Sequence, residues 1–402
     1  MAVSLHQLLK TMTEMGGTDL HVTTNSAPQI RVDGKLRPLD LPPLSAVETK
    51  QLAYSVLTDA QKHRFEENLE LDFSFGIKGL ARFRANVFSQ RGAVAAVYRT
   101  IPYEIRGFKD LGLPPVIASI CDKPRGLVLV TGPTGSGKST TLAAMLDKIN
   151  SERHEHMLTV EDPIEYLHQH KKCVVNQREV HADTHSFSNA LRAALREDPD
   201  VVLIGEMRDL ETISMAISAA ETGHLVFGTL HTTSAISTVD RIIDVFPTDA
   251  QQQVRVQMSS TLQGVISQTL VPKVGGGRVA AREILVATDA VKSLIREGKS
   301  QQILNLMQTG KQHGMSTLED ELLRFYAEGL ISADDTVAKA NRPDDVRRRL
   351  GDIRPKQQQP VGASMGMSMR SSAPEPRPAA APQPGLGSYG GVQGLKVRGP
   401  SR

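Results

Sequence analysis

A phosphate-binding pattern near the middle of the chain is the clearest chemical feature of the sequence. It reads Gly132, Pro133, Thr134, Gly135, Ser136, Gly137, Lys138, Ser139 and then Thr140. In the pattern G-x-x-x-x-G-K-[ST], the glycines let backbone N–H groups face a phosphate, the lysine reaches the β- and γ-phosphates and the serine can ligate Mg²⁺. The strand-like run GLVLVT precedes the pattern and a helix-forming run follows it. The sequence therefore predicts a site for a nucleoside triphosphate.

Two other strand-like runs end in carboxylates. MLTV is followed by Glu161, Asp162 and Pro163, and DVVLI is followed by Gly205 and Glu206. Active groups of an open parallel sheet gather at the carboxyl ends of its strands. Glu206 then fits a Walker B position that holds Mg²⁺ directly or through water, and Glu161 can orient or deprotonate the attacking water. The alternatives are a helix-capping acid for Glu206 and a turn opening for Glu161.

Histidines and arginines supply further candidates. His224 and His231 flank the strand-like run LVFGTL, where each can sense a γ-phosphate or can simply cap or pack. Arg82 and Arg84 lie two residues apart in the strand-like run ARFRANVF and so share one face. They can clamp a phosphate held by a neighbouring molecule, or face solvent. Arg99 is a candidate of the same kind.

The remaining histidines and the cysteines do not predict a metal site. The HEH run at residues 154–156 lacks the spacing of a zinc motif, and we interpret it, together with His168 and His170, as exposed structure. Cys121 and Cys173 lie far apart in apolar settings. We expect them to be buried free thiols.

The first part of the chain, residues 1–100, predicts a small α+β domain. Short strand-like runs alternate there with one helical stretch, at residues 20–24, 29–32, 46–68, 71–75, 81–89 and 93–99. The dipeptide Asp33-Gly34 is a hairpin signal, because both residues tolerate positive φ. Residues 101–110, which include Pro102, are predicted to form a linker.

Residues 111–350 predict an α/β domain. Buried-strand runs alternate with amphipathic helices, which is typical of a parallel sheet covered on both faces. Helices are also predicted over residues 251–268 and 289–307, with more to 350. Residues 351–402 are rich in Pro, Gly, Gln, Ser and Ala, and we predict a disordered tail because they cannot bury enough apolar surface.

Composition restricts the function. The 402 residues carry a formal charge of +3, but the excess positive charge lies in the tail and leaves a slightly acidic body. That body offers no basic footprint for nucleic acid. The basic run at residues 347–349 is interpreted as a solvated helix end. No apolar run is long enough to span a bilayer and the start lacks a signal-peptide layout, so we expect a cytoplasmic protein.

Four segments together resemble a known family. GPTGSGKST, TVEDPIEY, DPDVVLIGEMRDLET and TGHLVFGTLHT, in this order, resemble the Walker A, aspartate box, Walker B and histidine box of the secretion ATPase superfamily. The resemblance is closest to PilT-type motors, which retract type IV pili for twitching motility. AVKSLIREGK, with Leu294, Ile295, Arg296 and Glu297 matching, is similar to the helix that is particular to retraction ATPases.

The resemblance implies a PAS-like N-terminal domain, a RecA-like ATPase domain and a homo-hexamer that hydrolyses ATP with Mg²⁺. It implies phosphate and Mg²⁺ binding by Lys138 and Ser139, a water-activating Glu161, a metal-site Glu206 and a histidine box of His224 and His231. In the hexamer Arg82, Arg84 and Arg99 become candidate contacts in trans. The implied partners are an inner-membrane platform protein, at whose cytoplasmic face the motor would act, and a paralogous retraction ATPase.

Several alternatives stay open at this point. A pilus-assembly or type II secretion ATPase is disfavoured because such proteins generally carry a four-cysteine metal insertion, and this chain has two cysteines. An accessory retraction paralogue is possible because Val291, Lys292 and Ser293 depart from the retraction helix. A nucleic-acid translocase is disfavoured by the acidic body, and a regulatory subunit without hydrolysis is disfavoured by Glu161 and Glu206.

Overall fold

The structure is a computed structural model that describes residues 3–32, 34–101, 104–353 and 355. Asp33 of the predicted hairpin turn, Pro102 of the predicted linker and nearly all of the predicted disordered tail lie outside these residues.

An antiparallel sheet with three helices forms the N-terminal part. The elements are α1 (Leu5–Glu14), β1 (Asp19–Val22), β2 (Gln29–Val32), β3 (Lys35–Pro38), α2 (Ala46–Tyr54), α3 (Asp59–Asn68), β4 (Glu70–Ile77), β5 (Ala81–Gln90) and β6 (Ala93–Ile101). The strand order is β3-β2-β1-β6-β5-β4. Leu8, Leu20, Phe83 and Tyr98 are fully buried between this sheet and its helices. The small α+β fold predicted for this region is present.

The single helix predicted over residues 46–68 is wrong. The chain leaves α2 after Tyr54 and starts α3 at Asp59, where Thr58 and Gln61 form a capping box. The Thr58 hydroxyl accepts a hydrogen bond from the Gln61 backbone N–H, and the Gln61 side chain accepts one from the Thr58 N–H. This reciprocal pairing satisfies two helix-end donors and favours a new start over a continuous helix.

The second part is built on a sheet with helices on both faces. Its strands are β7 (Gly126–Thr131), β8 (His156–Glu161), β9 (Val174–Glu179), β10 (Val201–Ile204), β11 (Leu225–Leu230), β12 (Leu262–Pro272) and β13 (Arg278–Val286). They lie in the order β13-β12-β7-β11-β10-β8-β9. Strands β7 to β12 run parallel, and β13 pairs with β12 in the antiparallel sense.

The helices of this part follow the strands in the order expected of a parallel sheet. They are α4 (Pro115–Cys121), α5 (Lys138–Glu152), α6 (Phe187–Ala194), α7 (Leu210–Glu221), α8 (Ala235–Asp244), α9 (Gln251–Thr261), α10 (Asp289–Arg296), α11 (Ile303–Thr309), α12 (Leu318–Ala327), α13 (Ala333–Ala338) and α14 (Pro343–Leu350), with short 3₁₀ turns at Ser300–Gln302 and Gly310–His313. Leu127 and Leu129 of β7 pack into the core on one face, and Val128 and Val130 pack on the other. The α/β fold class is confirmed.

The predicted helix over residues 251–268 is half wrong, because α9 ends at Thr261 and β12 begins at Leu262. β12 pairs with β7 on one side and β13 on the other, so the sheet satisfies the backbone hydrogen-bonding groups of this segment. The helix predicted over residues 289–307 is also interrupted, since Gly298 adopts φ +70° between α10 and the 3₁₀ turn.

Several smaller expectations are confirmed. Cys121 and Cys173 are buried free thiols, and the basic run at residues 347–349 lies in the last turn of α14. Within the described ranges, no helix combines the length and apolar character needed to cross a membrane.

Candidate functional site

The phosphate loop connects β7 to α5 and packs tightly on β12. Gly132 has φ +137°, and a Cβ there would lie 2.1 Å from the Gln268 carbonyl oxygen and 2.7 Å from the Ser136 Oγ. Gly137 has φ +89°, and its Cβ would lie 2.7 Å from the Gln268 Nε2. Both positions therefore require glycine for conformational and for steric reasons. Gly135, with φ +77°, has open space around it.

The lysine of the loop folds back onto the loop backbone. The Lys138 Nζ donates to the carbonyl oxygens of Gly132, at 2.7 Å, and Pro133, at 3.3 Å. Burial lowers the pKa of Lys138, against the opposing effect of the Glu206 and Glu165 carboxylates. The Ser136 Oγ is buried and has no hydrogen-bond partner among the described residues. The loop thus holds a cation and a free hydroxyl suited to a phosphate.

A cavity of about 740 Å³ opens over the carboxyl ends of the strands. Most of the chemically active predicted residues line it, together with an arginine of the N-terminal sheet: Arg84, Thr134, Gly135, Lys138, Ser139, Glu161, Glu206 and His231. The structure therefore brings the loop, both strand-end carboxylates and one histidine of the predicted histidine box into one site. Thr140 lies beside the cavity, with its hydroxyl 2.9 Å from the Tyr166 hydroxyl.

Glu161 is a buried carboxylate with three hydrogen-bond donors. Its Oε1 accepts from the Thr159 hydroxyl at 2.7 Å and from the Gln177 Nε2 at 3.1 Å, and its Oε2 accepts from the Glu165 N–H at 3.2 Å. Burial raises the pKa of Glu161, and the hydrogen bonds only partly oppose this. A carboxylate held in a fixed orientation with a raised pKa is suited to accept a proton from water.

Glu206 reaches the cavity two residues beyond the end of β10. Gly205, which precedes it, packs closely on β8, since a Cβ at that position would lie 3.1 Å from the Glu161 Cα. A Glu206 carboxylate oxygen contacts the Arg208 guanidinium and lies 2.8 Å from the His231 Nε2. Burial acts against the charged form, but the Arg208 and His231 contacts outweigh it and lower the pKa of Glu206. The group is therefore anionic at neutral pH.

The two histidines of the predicted histidine box lie at opposite ends of β11. His231 follows the strand and touches Glu206, whereas His224 precedes it, with its Nδ1 2.8 Å from the Ala219 carbonyl oxygen. Six strand residues separate the two, which corresponds to about 20 Å. Within one chain, His224 is thus not brought to the cavity.

The three candidate arginines contact acidic residues of their own chain. The Arg82 Nη2 lies 3.0 Å from the Glu179 Oε2 across the boundary between the two sheets, and the Arg84 Nη1 lies 3.9 Å from the Glu165 Oε1. The Arg99 Nε lies 2.8 Å from the Asp19 Oδ1. Only Arg84 lines the cavity, and the contacts of all three in trans stay a prediction.

His168 and Gln268 depart from the sequence-based interpretation. His168 is not exposed as expected: burial lowers its pKa to about 4, its Nδ1 has no hydrogen-bond partner within the described ranges, and it lines the cavity. Gln268 holds the loop through its amide, which donates to the Ser136 carbonyl oxygen at 2.6 Å. The helix that the sequence predicts over residues 251–268 includes Gln268, although the β-branched run that surrounds this residue is a strand signal.

Two oxygen donors in the cavity fit a magnesium ion. The Ser139 hydroxyl lines the cavity and makes no hydrogen bond within the part of the chain that the structure describes, and the Glu206 carboxylate faces the same space. Hydroxyl and carboxylate oxygens are the ligands that Mg²⁺ prefers, usually together with water and substrate phosphates. No cluster of three or more His, Cys, Asp or Glu side chains that could hold a metal ion occurs among the described residues.

The predicted retraction helix is α10, which packs on α9 away from the cavity. Ile295 is 1% exposed and belongs to the core, and Leu294 packs against that core from a half-buried position. Arg296 and Glu297 are exposed. The four residues therefore divide into two that support the fold and two that are available at the surface.

Comparison with known proteins identifies the family of this chain. The profile described as "Type II/IV secretion system protein" matches residues 2–276. The chain is 54% identical over 343 residues to the type IV pilus retraction ATPase PilT of Pseudomonas aeruginosa, covering 85% of this chain and 100% of that protein. It is 40% identical over 346 residues to the type IV pilus ATPase PilU of the same organism, covering 86% and 91%.

A solved structure, the pilus retraction motor PilT with bound ADP, matches with a TM-score of 0.82 and 52% identity over 86% of this chain and 99% of that chain. The likeness thus extends across both sheets.

Proposed function

The chain belongs to the type II/IV secretion system protein family, and we propose that it is the ATPase that powers retraction of type IV pili and supports twitching motility. One observation carries the proposal: the likeness to PilT extends over the whole of that protein, in a chain whose phosphate loop and two strand-end carboxylates line one cavity. The lower identity to PilU favours the main motor over an accessory paralogue.

We propose that the cavity binds and hydrolyses ATP. Lys138 would contact the β- and γ-phosphates, and Ser139 and Glu206 would hold Mg²⁺, which would neutralise phosphate charge. A water molecule attacks the γ-phosphorus, the bond to the β,γ-bridging oxygen breaks, and the proton of the water passes to Glu161. The raised pKa of Glu161 supports this role, because a base works best when its pKa approaches the ambient pH. His231 would respond to the γ-phosphate, which is supported by its contact with Glu206.

We further propose a cytoplasmic homo-hexamer in which each nucleotide lies between one ATPase domain and the N-terminal domain of a neighbour. Arg82, Arg84 and Arg99 would then contact nucleotide in trans, which is supported by the 40% and 66% exposure of the Arg84 and Arg99 side chains. Arg82 would have to exchange Glu179 for a phosphate. The proposed domains are an N-terminal domain at residues 1–100, a linker at 101–110, an ATPase domain at 111–350 and a tail at 351–402.

The proposed partners follow from the same argument. Hydrolysis would displace the two domains and act on a platform protein at the cytoplasmic face of the inner membrane, with a paralogous retraction ATPase as a further partner. We expect no nucleic-acid partner.

The test is deletion of the gene with live imaging of the pili, followed by complementation. Long static pili are expected after deletion, and absence of pili would instead indicate an assembly motor. The wild type and the control Glu67→Gln, at an exposed position, should restore withdrawal. Glu206→Gln should not, and the purified variant should bind ADP while hydrolysing ATP at least about 100-fold more slowly. Normal turnover in Glu206→Gln would contradict the metal role.

A further inference from the structure

A buried polar connection joins the phosphate loop to the turn at residues 107–112, which we call the link turn and which leads from the N-terminal sheet into α4. Its central members are Gln268 of β12 and Arg282 of β13, which lie directly opposite each other in the sheet. Each is only 5% exposed. Neither belongs to the catalytic groups assigned above.

Gln268 uses both ends of its side-chain amide. Its Nε2 donates to the Ser136 carbonyl oxygen at 2.6 Å, and its Oε1 accepts from the Thr141 hydroxyl at 2.8 Å. The backbone oxygen of Gln268 also lies against Gly132, where even a methyl group would not fit. A displacement of Gln268 therefore displaces the phosphate loop on both sides of its bend.

Arg282 continues the connection to the link turn. Its Nε donates to the Gln268 Oε1 at 3.2 Å, its Nη2 to the Leu111 carbonyl oxygen at 2.9 Å and its Nη1 to the Gly112 carbonyl oxygen at 3.3 Å. No carboxylate lies within ion-pair distance of it among the described residues. A buried guanidinium is costly unless its donors are satisfied, so Arg282 holds the link turn and Gln268 at a fixed separation. Burial also lowers its pKa to about 10.

We infer that Gln268 and Arg282 are positioning residues that couple the link turn to the phosphate loop. Movement of the N-terminal part then changes how the loop grips a nucleotide, and nucleotide binding in turn orders the link turn, because coupling between two sites is reciprocal. The inference rests on the proposed nucleotide site. It adds a set of contacts through which ATP hydrolysis would affect the link turn, which lies between the two sheets.

Hydrogen–deuterium exchange of the full chain, with and without Mg²⁺ and ADP, tests the coupling. Segments 132–141 and 107–113 report the loop and the link turn, where the Leu111 N–H donates to Gly107 and the Gly112 N–H to Lys109. Arg282→Lys keeps the charge but cannot span three acceptors. Arg278→Lys, at an exposed position of the same strand, is the matched control.

In the wild type and Arg278→Lys, ADP should slow exchange in both segments. In Arg282→Lys, protection of the loop should remain and protection of the link turn should be lost. Gln268→Glu is the second variant, for use if Arg282→Lys does not fold. It keeps the oxygen that accepts from Arg282 but removes the N–H group that donates to Ser136. Protection of the link turn by ADP should be lost in this variant too. The inference would be overturned if ADP protects the link turn in either folded variant as much as in the wild type. It would also be overturned if ADP does not protect the link turn in the wild type. Absence of loop protection in the wild type would count against the proposed nucleotide site instead.

Discussion

Gly132 is the position at which the phosphate loop tolerates least change. A Cβ at this residue would lie 2.1 Å from the backbone oxygen of Gln268, which no flexible side chain can relieve. Overpacking of this kind costs about 2 kcal/mol, and a φ of +137°, which lies outside the left-handed helical region and is adopted almost only by glycine, adds at least about 1 to 2 kcal/mol. Gly132→Ala should therefore lower the free energy of unfolding by about 3 to 4 kcal/mol.

Gly135 is the matched control in the same loop. Its φ is also positive, at +77°, but a Cβ would meet no atom within 4 Å. Gly135→Ala should cost only the backbone term of about 1 kcal/mol. The comparison thus isolates the contact with β12 from the conformational penalty.

Calorimetric unfolding without nucleotide measures the difference. With about 3 °C of melting temperature lost per kcal/mol for the larger sheet and its helices, Gly132→Ala should lower Tm by about 10 °C and Gly135→Ala by about 3 °C. Titration with a fluorescent ADP analogue should show that Gly132→Ala also loses affinity, since the loop is displaced. Equal melting temperatures for the two variants would refute the claim that β12 shapes the loop.

Two further predictions concern a buried charge and the surface of α10. Burial raises the folded-state pKa of Glu161 above its usual value of 4.5, so the unfolded state releases its proton first as pH rises and the unfolding free energy falls between pH 4.5 and the folded-state pKa. Glu161→Gln should remove that decline, so its Tm relative to the wild type should increase from pH 4.5 toward neutrality; a constant difference would contradict the burial argument. Arg296→Glu changes an exposed position, so it should leave ATP hydrolysis intact and impair pilus withdrawal. Ile295→Asn changes a core position and should instead lower Tm. Withdrawal at the wild-type rate in Arg296→Glu would show that this surface is not used.

The positions of polar residues at the ends of apolar strands explain how much of the site could be predicted from the sequence. In a parallel sheet every strand starts at one edge and ends at the other, so a polar residue that follows an apolar run must lie at the shared carboxyl edge. This is why the loop, Glu161, Glu206 and His231 line one cavity. The same geometry separates His224 from them, because it precedes its strand.

For the N-terminal arginines, the sequence predicted the face on which they lie but not the residues that they contact. Period-two alternation correctly put Arg82 and Arg84 on one face of β5, but it carries no information about what faces them. Glu179, which pairs with Arg82, lies 97 residues away in the chain. Contacts at such separation depend on how two sheets meet, and a local pattern does not encode that.

Local sequence was thus sufficient for the nucleotide-binding chemistry and the fold class, because glycine conformations, strand ends and apolar periodicity are properties of short segments. Local sequence could not predict that Gln268 and Arg282 support the phosphate loop. Gln268 lies in β12, which pairs with β7, a strand well over a hundred residues earlier in the chain, and Arg282 lies in β13, which pairs with β12. The phosphate loop could be read from its own residues, whereas its support from β12 arose only when distant strands came together and the buried polar groups had to find partners.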